Sequence, residues 1–282
     1  MASACAPKEN AATKSDSATA AAATQASAAT TATARHPNVV TVHAKDFAYD
    51  APAAIPAGMT TFKLINDGKA PHHLSLVRLD SGKTLADLKH ELAMPAAPPT
   101  WVHAVGGPNA VGPGATDSAT VDLVPGNYAM VCYVPIPGGV PHFAKGMIAA
   151  FTVGAAPAGP AAAAPAVDDT IKLTDYAFAI TKPVLAGMRS FEVQNLGGQP
   201  HEVEVVRLAP GKTVENLLSW MDKPAGPPPA EFLGGVSGFE GAPTYFSTNF
   251  APGTYAFICF LPDVKDGKPH FVHGMTKTFT VM

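Results

Sequence analysis

Charge, cysteine, tryptophan and long apolar runs are all scarce in this chain. Charged residues make up 15% of its 282 positions, and the formal net charge is −3. That balance gives no electrostatic case for nucleic acid or for an anionic membrane surface. No apolar run approaches the roughly 20 residues that a membrane-spanning helix needs. Only three cysteines occur, Cys5, Cys132 and Cys259, so at most one disulfide can form. Pairing Cys132 with Cys259 would require the same end of two domains to meet face to face. The two tryptophans, Trp101 and Trp220, do not align with each other between the two halves, so they read as packing groups and not as an electron relay.

What the chain does have is an internal duplication. The stretch INDGKAPHHLSLVRLDSGKT matches VQNLGGQPHEVEVVRLAPGKT, PGNYAMVC matches PGTYAFIC, and PHFAKGM matches PHFVHGM. Upstream, Asp46-Phe47-Ala48-Tyr49 matches Asp175-Tyr176-Ala177-Phe178, and Ala57-Gly58-Met59 matches Ala186-Gly187-Met188. The length suffices for two ordinary domains with separate cores. Residues 38–153 and 168–282 form the expected domains. The Ala/Pro/Gly-rich residues 154–167 read as a semi-extended linker reaching at most about 40 Å at polyproline rise.

Each copy reads as all-β. Short alternating runs such as VVTVHA, TTFKLIN, HLSLVRL, ATVDLV and NYAMVC are separated by Pro, Gly and Asn clusters. The spacing predicts two tandem antiparallel sandwiches with Greek-key connections. One helix interrupts each: Thr84 caps Leu85–Leu92 with Asp87 at the capping-box position, and Thr213 caps a matching segment from Val214 to Met221.

Both copies carry a His, a Cys and then a His-x4-Met in the same order. These are His72, Cys132, His142 and Met147, then His201, Cys259, His270 and Met275. One thiolate, two imidazoles and a thioether are the donor set of a mononuclear blue-copper centre. In NYAMVC, Tyr128, Met130 and Cys132 alternate onto one face, so a buried face would leave Cys132 pointing inward at the strand end. Tyr255, Phe257 and Cys259 repeat the pattern. Met59 and Met188 also recur and read as packing residues. His36, His43, His90 and His103 have no His counterpart and read as surface or core residues, and His273 reads as solvated.

At these residues the chain resembles the cupredoxin family, in particular plastocyanin-like type-1 copper domains. The segment NDGKAPHHLSLV resembles the family's first-ligand stretch, and Cys…Pro-His-x3-Gly-Met resembles its second. The resemblance covers both repeats and leaves out the tail and linker. It implies copper as cofactor, up to two per chain. His72 and His201 would be the first ligands, Cys132 and Cys259 the thiolates, His142 and His270 the exposed-edge imidazoles, and Met147 and Met275 the axial ligands. His73 and Glu202 fall where the family has a polar residue that ties the ligand loop. Nine residues (133–141) separate Cys132 from His142, and ten (260–269) separate Cys259 from His270. Small blue-copper proteins use shorter loops, whereas the type-1 site of copper nitrite reductases has one of comparable size.

The resemblance implies an extracytoplasmic carrier of single electrons that meets redox protein partners in small, transient contacts. Copper oxidases and nitrite reductases also use repeated cupredoxin domains. They add a copper cluster with a His beside the type-1 Cys and often His-x-His pairs. Here Val131 and Tyr133 flank Cys132, Ile258 and Phe260 flank Cys259, and His-x-His is absent. The expectation is therefore a protein that is not an enzyme. A copper-buffering or metal-free binding module is the alternative. The opening MASAC and the Ala/Ser/Thr-rich stretch after it resemble a bacterial lipoprotein with Cys5 acylated, although the basic and apolar regions of a signal peptide are missing. Residues 1–37 are too poor in large apolar side chains to fold.

Overall fold

A computed structural model describes residues 35–94 and 99–282. The first repeat supplies β1 (Asn38–Lys45), β2 (Ala48–Asp50), β3 (Ala54–Pro56), β4 (Gly58–Asn66), β5 (Ser75–Leu79), β6 (Val102–Gly106), β7 (Thr116–Leu123), β8 (Gly126–Val131) and β9 (Ile148–Gly154). The second supplies β10 (Asp169–Thr174), β11 (Ala177–Ile180), β12 (Gly187–Asn195), β13 (His201–Leu208), β14 (Ala230–Phe239), β15 (Thr244–Phe250), β16 (Gly253–Ile258) and β17 (Thr276–Val281). The fold is all-β, as the alternating runs imply. Most neighbours pair antiparallel; β1–β4, β10–β12 and β3–β9 pair parallel.

Alternation sets the layers. In β1, Val40, Val42 and Ala44 turn inward while Val39, Thr41 and Lys45 face out. Inward side chains of the first repeat form one core around Phe62, Leu64, Leu76, Tyr128, Met130 and Phe151. Those of the second form another around Ile171, Leu173, Phe191, Phe246 and Phe257. Helix α1 (Leu85–Leu92) has the capping box in which Thr84 and Asp87 satisfy each other's backbone N–H. Its Leu88 is buried against Val77, Leu79, Ala129 and Val131 on the outer face of β5 and β8. Helix α2 (Val214–Asp222), capped by Thr213 and Asn216, does the same through Leu217. Full burial of one such leucine contributes about 1.5–3 kcal/mol.

The two cores are separate, but the sheets are not. β7 pairs with β15 (Phe246 opposite Ala119), and β6 pairs with β14 (Phe239 opposite Val105). One eight-stranded and one nine-stranded sheet therefore run through both repeats, each equivalent strand meeting its counterpart. Side chains reinforce this junction. The Asp117 carboxylate accepts the N–H groups of Asn109 and Gly235, both at 2.9 Å. The Asn109 amide donates to the carbonyls of Val203 and Val236 and to Glu202. Within residues 154–167, the Ala163 N–H bonds the Arg35 carbonyl at 3.2 Å. The repeats are thus joined through shared sheets and not only through this segment.

Cys132 and Cys259 are buried free thiols in different cores, which removes the disulfide pairing. Cys5 lies outside the described residues. Among the described residues, no helix is long and apolar enough to cross a membrane. Met188 departs from its expected packing role: it is 63% exposed on β12.

Candidate metal centres

Each donor reaches its site from a different element. His72 ends the loop after β4, and Asn66 fixes that loop. The Asn66 amide donates to the carbonyls of Ala70 and Val111, and its oxygen accepts the Gly68 N–H at 2.9 Å. Asn195 repeats the arrangement beneath His201, donating to Gln199 and Phe239 and accepting from Gly197. Cys132 follows β8 and Cys259 follows β16, each on the core side of its strand. His142 and His270 open the short 3-10 turns His142–Lys145 and His270–His273.

The donors converge. His72 Nδ1 lies 3.1 Å from His142 Nδ1, which lies 3.5 Å from Cys132 Sγ. In the second repeat the corresponding distances are 3.0 Å and 3.2 Å. All three donor atoms of each set lie within 4.8 Å of one another, and the residues are buried. Two imidazole nitrogens each about 2.0 Å from one ion stand roughly 3–3.5 Å apart at tetrahedral to trigonal angles. The observed spacings match. His142 Nε2 and His270 Nε2, on the side of each ring away from the donor set, are buried with no partner. A cation held by both Nδ1 atoms removes the repulsion between facing lone pairs. Met147 and Met275 are fully buried in the same cores as their cysteines.

In the sequence, Asp46 and Asp175 stand out only as matched repeat positions. Asp46 Oδ1 lies 3.2 Å from His72 Nε2, and Asp175 Oδ1 lies 2.5 Å from His201 Nε2. A carboxylate there keeps the proton on Nε2 and leaves Nδ1 free to ligate. Gly68 and Gly197 make room for it. A Cβ at Gly68 would stand 2.5 Å from His72 Nε2, and one at Gly197 would stand as close to His201 Nε2. His73 and Glu202 each accept a backbone N–H from the residue that follows the cysteine of their repeat: His73 Nε2 accepts that of Tyr133 and Glu202 Oε1 that of Phe260, both at 2.8 Å. Each thus holds the residue after the cysteine. Burial pushes His73 down to about 4, so it is neutral, and pushes Glu202 up to about 7.

The resemblance implied exposed imidazole edges at His142 and His270. Both residues are instead fully buried. The Phe47 ring stands edge-on to His142 at 5.3 Å, held there by a left-handed backbone (φ 64). Tyr176 covers His270 at the same centroid distance. One turn therefore supplies both the carboxylate behind the first His and the aromatic cover over the second. His273 is not simply solvated, since its ring stacks on Tyr176 at 4.8 Å. His43 and His103 sit in surface pairs with Asp67 and Asp80. Trp101 packs beside α1, and Trp220 donates to the Gly226 carbonyl.

Burial dominates the electrostatics. It pushes the Cys132 thiol up to about 11 against the pull of the His73 and Val134 N–H groups, and the Cys259 thiol higher still. Burial, then the neighbouring imidazole, pulls His142 and His270 down to about 4. His142 and His270 are thus neutral, and copper entry would require loss of one thiol proton in each pocket.

No protein-family model matches the chain, and no curated protein matches it. Among solved structures it is similar to a reduced auracyanin from Roseiflexus castenholzii, at 23% identity over 43% of this chain and 99% of that one, with a TM-score of 0.29. It is also similar to the blue copper oxidase of Nitrosomonas europaea, at 14% identity over 88% and 86%, TM-score 0.24. A third is the copper-containing nitrite reductase of Thermus scotoductus, at 11% identity over 88% and 62%, TM-score 0.24. The expectation that the chain is not an enzyme is corrected here. The structures matched across most of its length are multicopper oxidases and copper nitrite reductases, so that expectation is withdrawn. Strand order, ligand order and the twice-built His2Cys pocket give a tandem cupredoxin-like fold whose donor sets fit copper.

Proposed function

We propose that the chain is a type-1 copper redox protein with one centre in each repeat, passing single electrons to and from protein partners. The ligands are His72, Cys132, His142 and Met147, and His201, Cys259, His270 and Met275. The observation that carries this reading is the duplicate convergence of two Nδ1 atoms and one Sγ in a buried pocket, each first His fixed from behind by an aspartate. When bound, copper supplies a one-electron couple in a site poised between the geometries of its two oxidation states. The chain's own contribution is rigidity. Asp46 and Asp175 orient the first imidazoles, His73 and Glu202 hold the backbone after each cysteine, and the cores exclude water. Partners would meet the aromatic surface made by the exposed Phe47 and half-buried Phe143 in the first repeat, and by the half-buried Tyr176 and Phe271 in the second. An extracytoplasmic location, with Cys5 as a lipid anchor, is part of the proposal and rests on the amino-terminal sequence alone. The proposed domain limits remain residues 38–153 and 168–282.

Titration of the purified chain with Cu(II) tests the reading. Intense thiolate-to-copper absorption saturating near two equivalents is expected, with Cys132→Ser and Cys259→Ser each removing one centre's share. Free thiols and no such absorption after copper addition would refute it. Saturation near one equivalent would refute the second centre and favour a silent repeat. Acyl labelling lost on Cys5→Ser would support the anchor.

A further inference from the structure

The two centres match in their ligands and in the aspartate behind the first His, but not in what faces the second. After the cysteine, Tyr133-Val134-Pro135-Ile136 in the first loop corresponds to Phe260-Leu261-Pro262-Asp263 in the second. Asp263 is 3% exposed, and its Oδ2 lies 4.0 Å from His270 Nε2. That nitrogen has no hydrogen-bond partner and points away from the ligating Nδ1. In the first repeat the corresponding position holds an isoleucine, with no carboxylate.

Asp263 is built to stay ionised. Its Oδ2 accepts the Tyr176 hydroxyl and, at 2.8 Å, the Gln199 amide. Its Oδ1 accepts the N–H groups of Lys265 and Asp266. Four donors leave no place for a carboxyl proton. Lys265 in the same loop carries the opposite charge but is exposed, where solvent and salt screen it, whereas Asp263 is buried. Asp46 and Asp175 are equivalent in the two centres. Asp266 is engaged by Lys268 and His273. Glu202, an acid, stands where the first repeat has the neutral His73, and Lys145 stands where the second has His273. The Lys145 difference has the same sign as the Asp263 difference, and Glu202 shares that sign only while ionised.

A fixed negative charge behind an imidazole ligand favours the more positive metal state. We infer that Asp263 makes the second centre the harder to reduce, so that in a singly reduced chain the electron rests on the first. This rests on the copper reading proposed above. Asp263 acts through His270 and is a positioning residue. In the balanced exchange, one electron leaves Cu(I) at the second centre and reduces Cu(II) at the first, with no bond made or broken.

Potentiometric titration of the copper-loaded full-length chain, carrying Cys132→Ser or Cys259→Ser, reads each centre alone. The second centre is expected to hold its electron at least tenfold less tightly, about 59 mV for a one-electron couple. Asp263→Asn in the Cys132→Ser chain should raise that potential and remove most of the gap. Ile136→Asp in the Cys259→Ser chain should lower the first centre's potential. Tyr176→Phe, which keeps the charge, should preserve the ordering. Equal potentials, a reversed order, or a coloured Asp263→Asn chain with an unshifted potential would overturn the inference and leave the copper reading standing. If Asp263→Asn fails to fold, Ile136→Asp decides, and an unshifted potential there overturns the inference. Absence of copper colour from both single-centre chains sinks the copper reading and this inference with it.

Discussion

Gly68→Ala tests whether the bond from Asp46 sets the quality of the first copper pocket. A methyl carbon at residue 68 would stand 2.5 Å from His72 Nε2 and 2.6 Å from Asp46 Oδ1. Ordinary contact begins near 3.4 Å, so both groups must retreat, His72 by about 0.9 Å and Asp46 by about 0.8 Å. Neither can do so freely. The His72 backbone is paired in both directions with Val111, and Asp46 Oδ1 also accepts the Lys69 N–H at 2.8 Å. The bond that holds the proton on Nε2 should therefore open. Loss of such a partner typically weakens metal affinity 10- to 100-fold, or about 1.4–2.7 kcal/mol. The assay is chelator competition read by thiolate-to-copper absorption in a chain that also carries Cys259→Ser, so that only the first centre reports. Gly112→Ala is the control, because a Cβ there meets no atom within 4 Å. Circular dichroism separates a pocket effect from loss of fold. A folded Gly68→Ala chain that binds copper as tightly as the control would refute the reasoning.

Copper affinity should rise with pH about tenfold per unit between pH 5 and 8, because binding displaces a thiol proton that burial holds up to about 11 while His142 is already neutral above about 4; apparent affinity at three pH values checks this. Asn109→Ala should destabilise the chain by about 2–3 kcal/mol, since it strands the Val203 and Val236 carbonyls at the junction; urea denaturation measures it. Burial raises Asp117 to about 7, so the folded chain keeps a proton that the unfolded chain has released. Stability should then fall as pH rises from about 4 to about 7 and level off above, a slope that Asp117→Asn should reduce in denaturation midpoints. Thr84→Ala should cost about 1 kcal/mol and leave copper absorption unchanged, because α1 lies on the outer face of the sheet, away from the pocket.

The candidate ligands were legible because they are rare residue types in a fixed order, met twice. The inward direction of Cys132 was legible too, since Tyr128 and Met130 share its parity and are large and apolar. The α1 cap could be read from four residues. Asp46 could not be assigned a role in the same way. It lies 26 positions before its histidine, on a polar turn where a carboxylate has many ordinary reasons to be. The aromatic cover escaped for a related reason, because only the left-handed backbone of Phe47 aims its ring at His142. The junction was least legible. A strand edge that pairs with another repeat carries the same alternation as one that faces water, and only the hydrogen-bond partners of Asn109 and Asp117 distinguish them.

Loop length is where sequence and structure inform each other most. A long Cys-to-His connection suggests a pocket free to relax, but the extra residues do not lie between the ligands in space. In the first loop, the Ile136 N–H bonds the Val140 carbonyl at 2.8 Å and Pro135 bridges to Pro141, closing the excess into its own turn. Below that turn the ligand backbones are laced directly. His142 bonds Val134, Phe143 bonds Cys132, Met147 bonds His142, and Cys132 bonds Met147. The second loop is closed alike, with Asp263 N–H on the Lys268 carbonyl and His270 N–H on that of Leu261. Closure entropy grows only logarithmically with length, so inserted residues cost the fold little once the lacing is made. The insertion can then change what faces the second imidazole without loosening the pocket. The first loop places isoleucine at that position. The second places a carboxylate there, and the inferred difference between the two centres rests on that substitution and not on the loop's length.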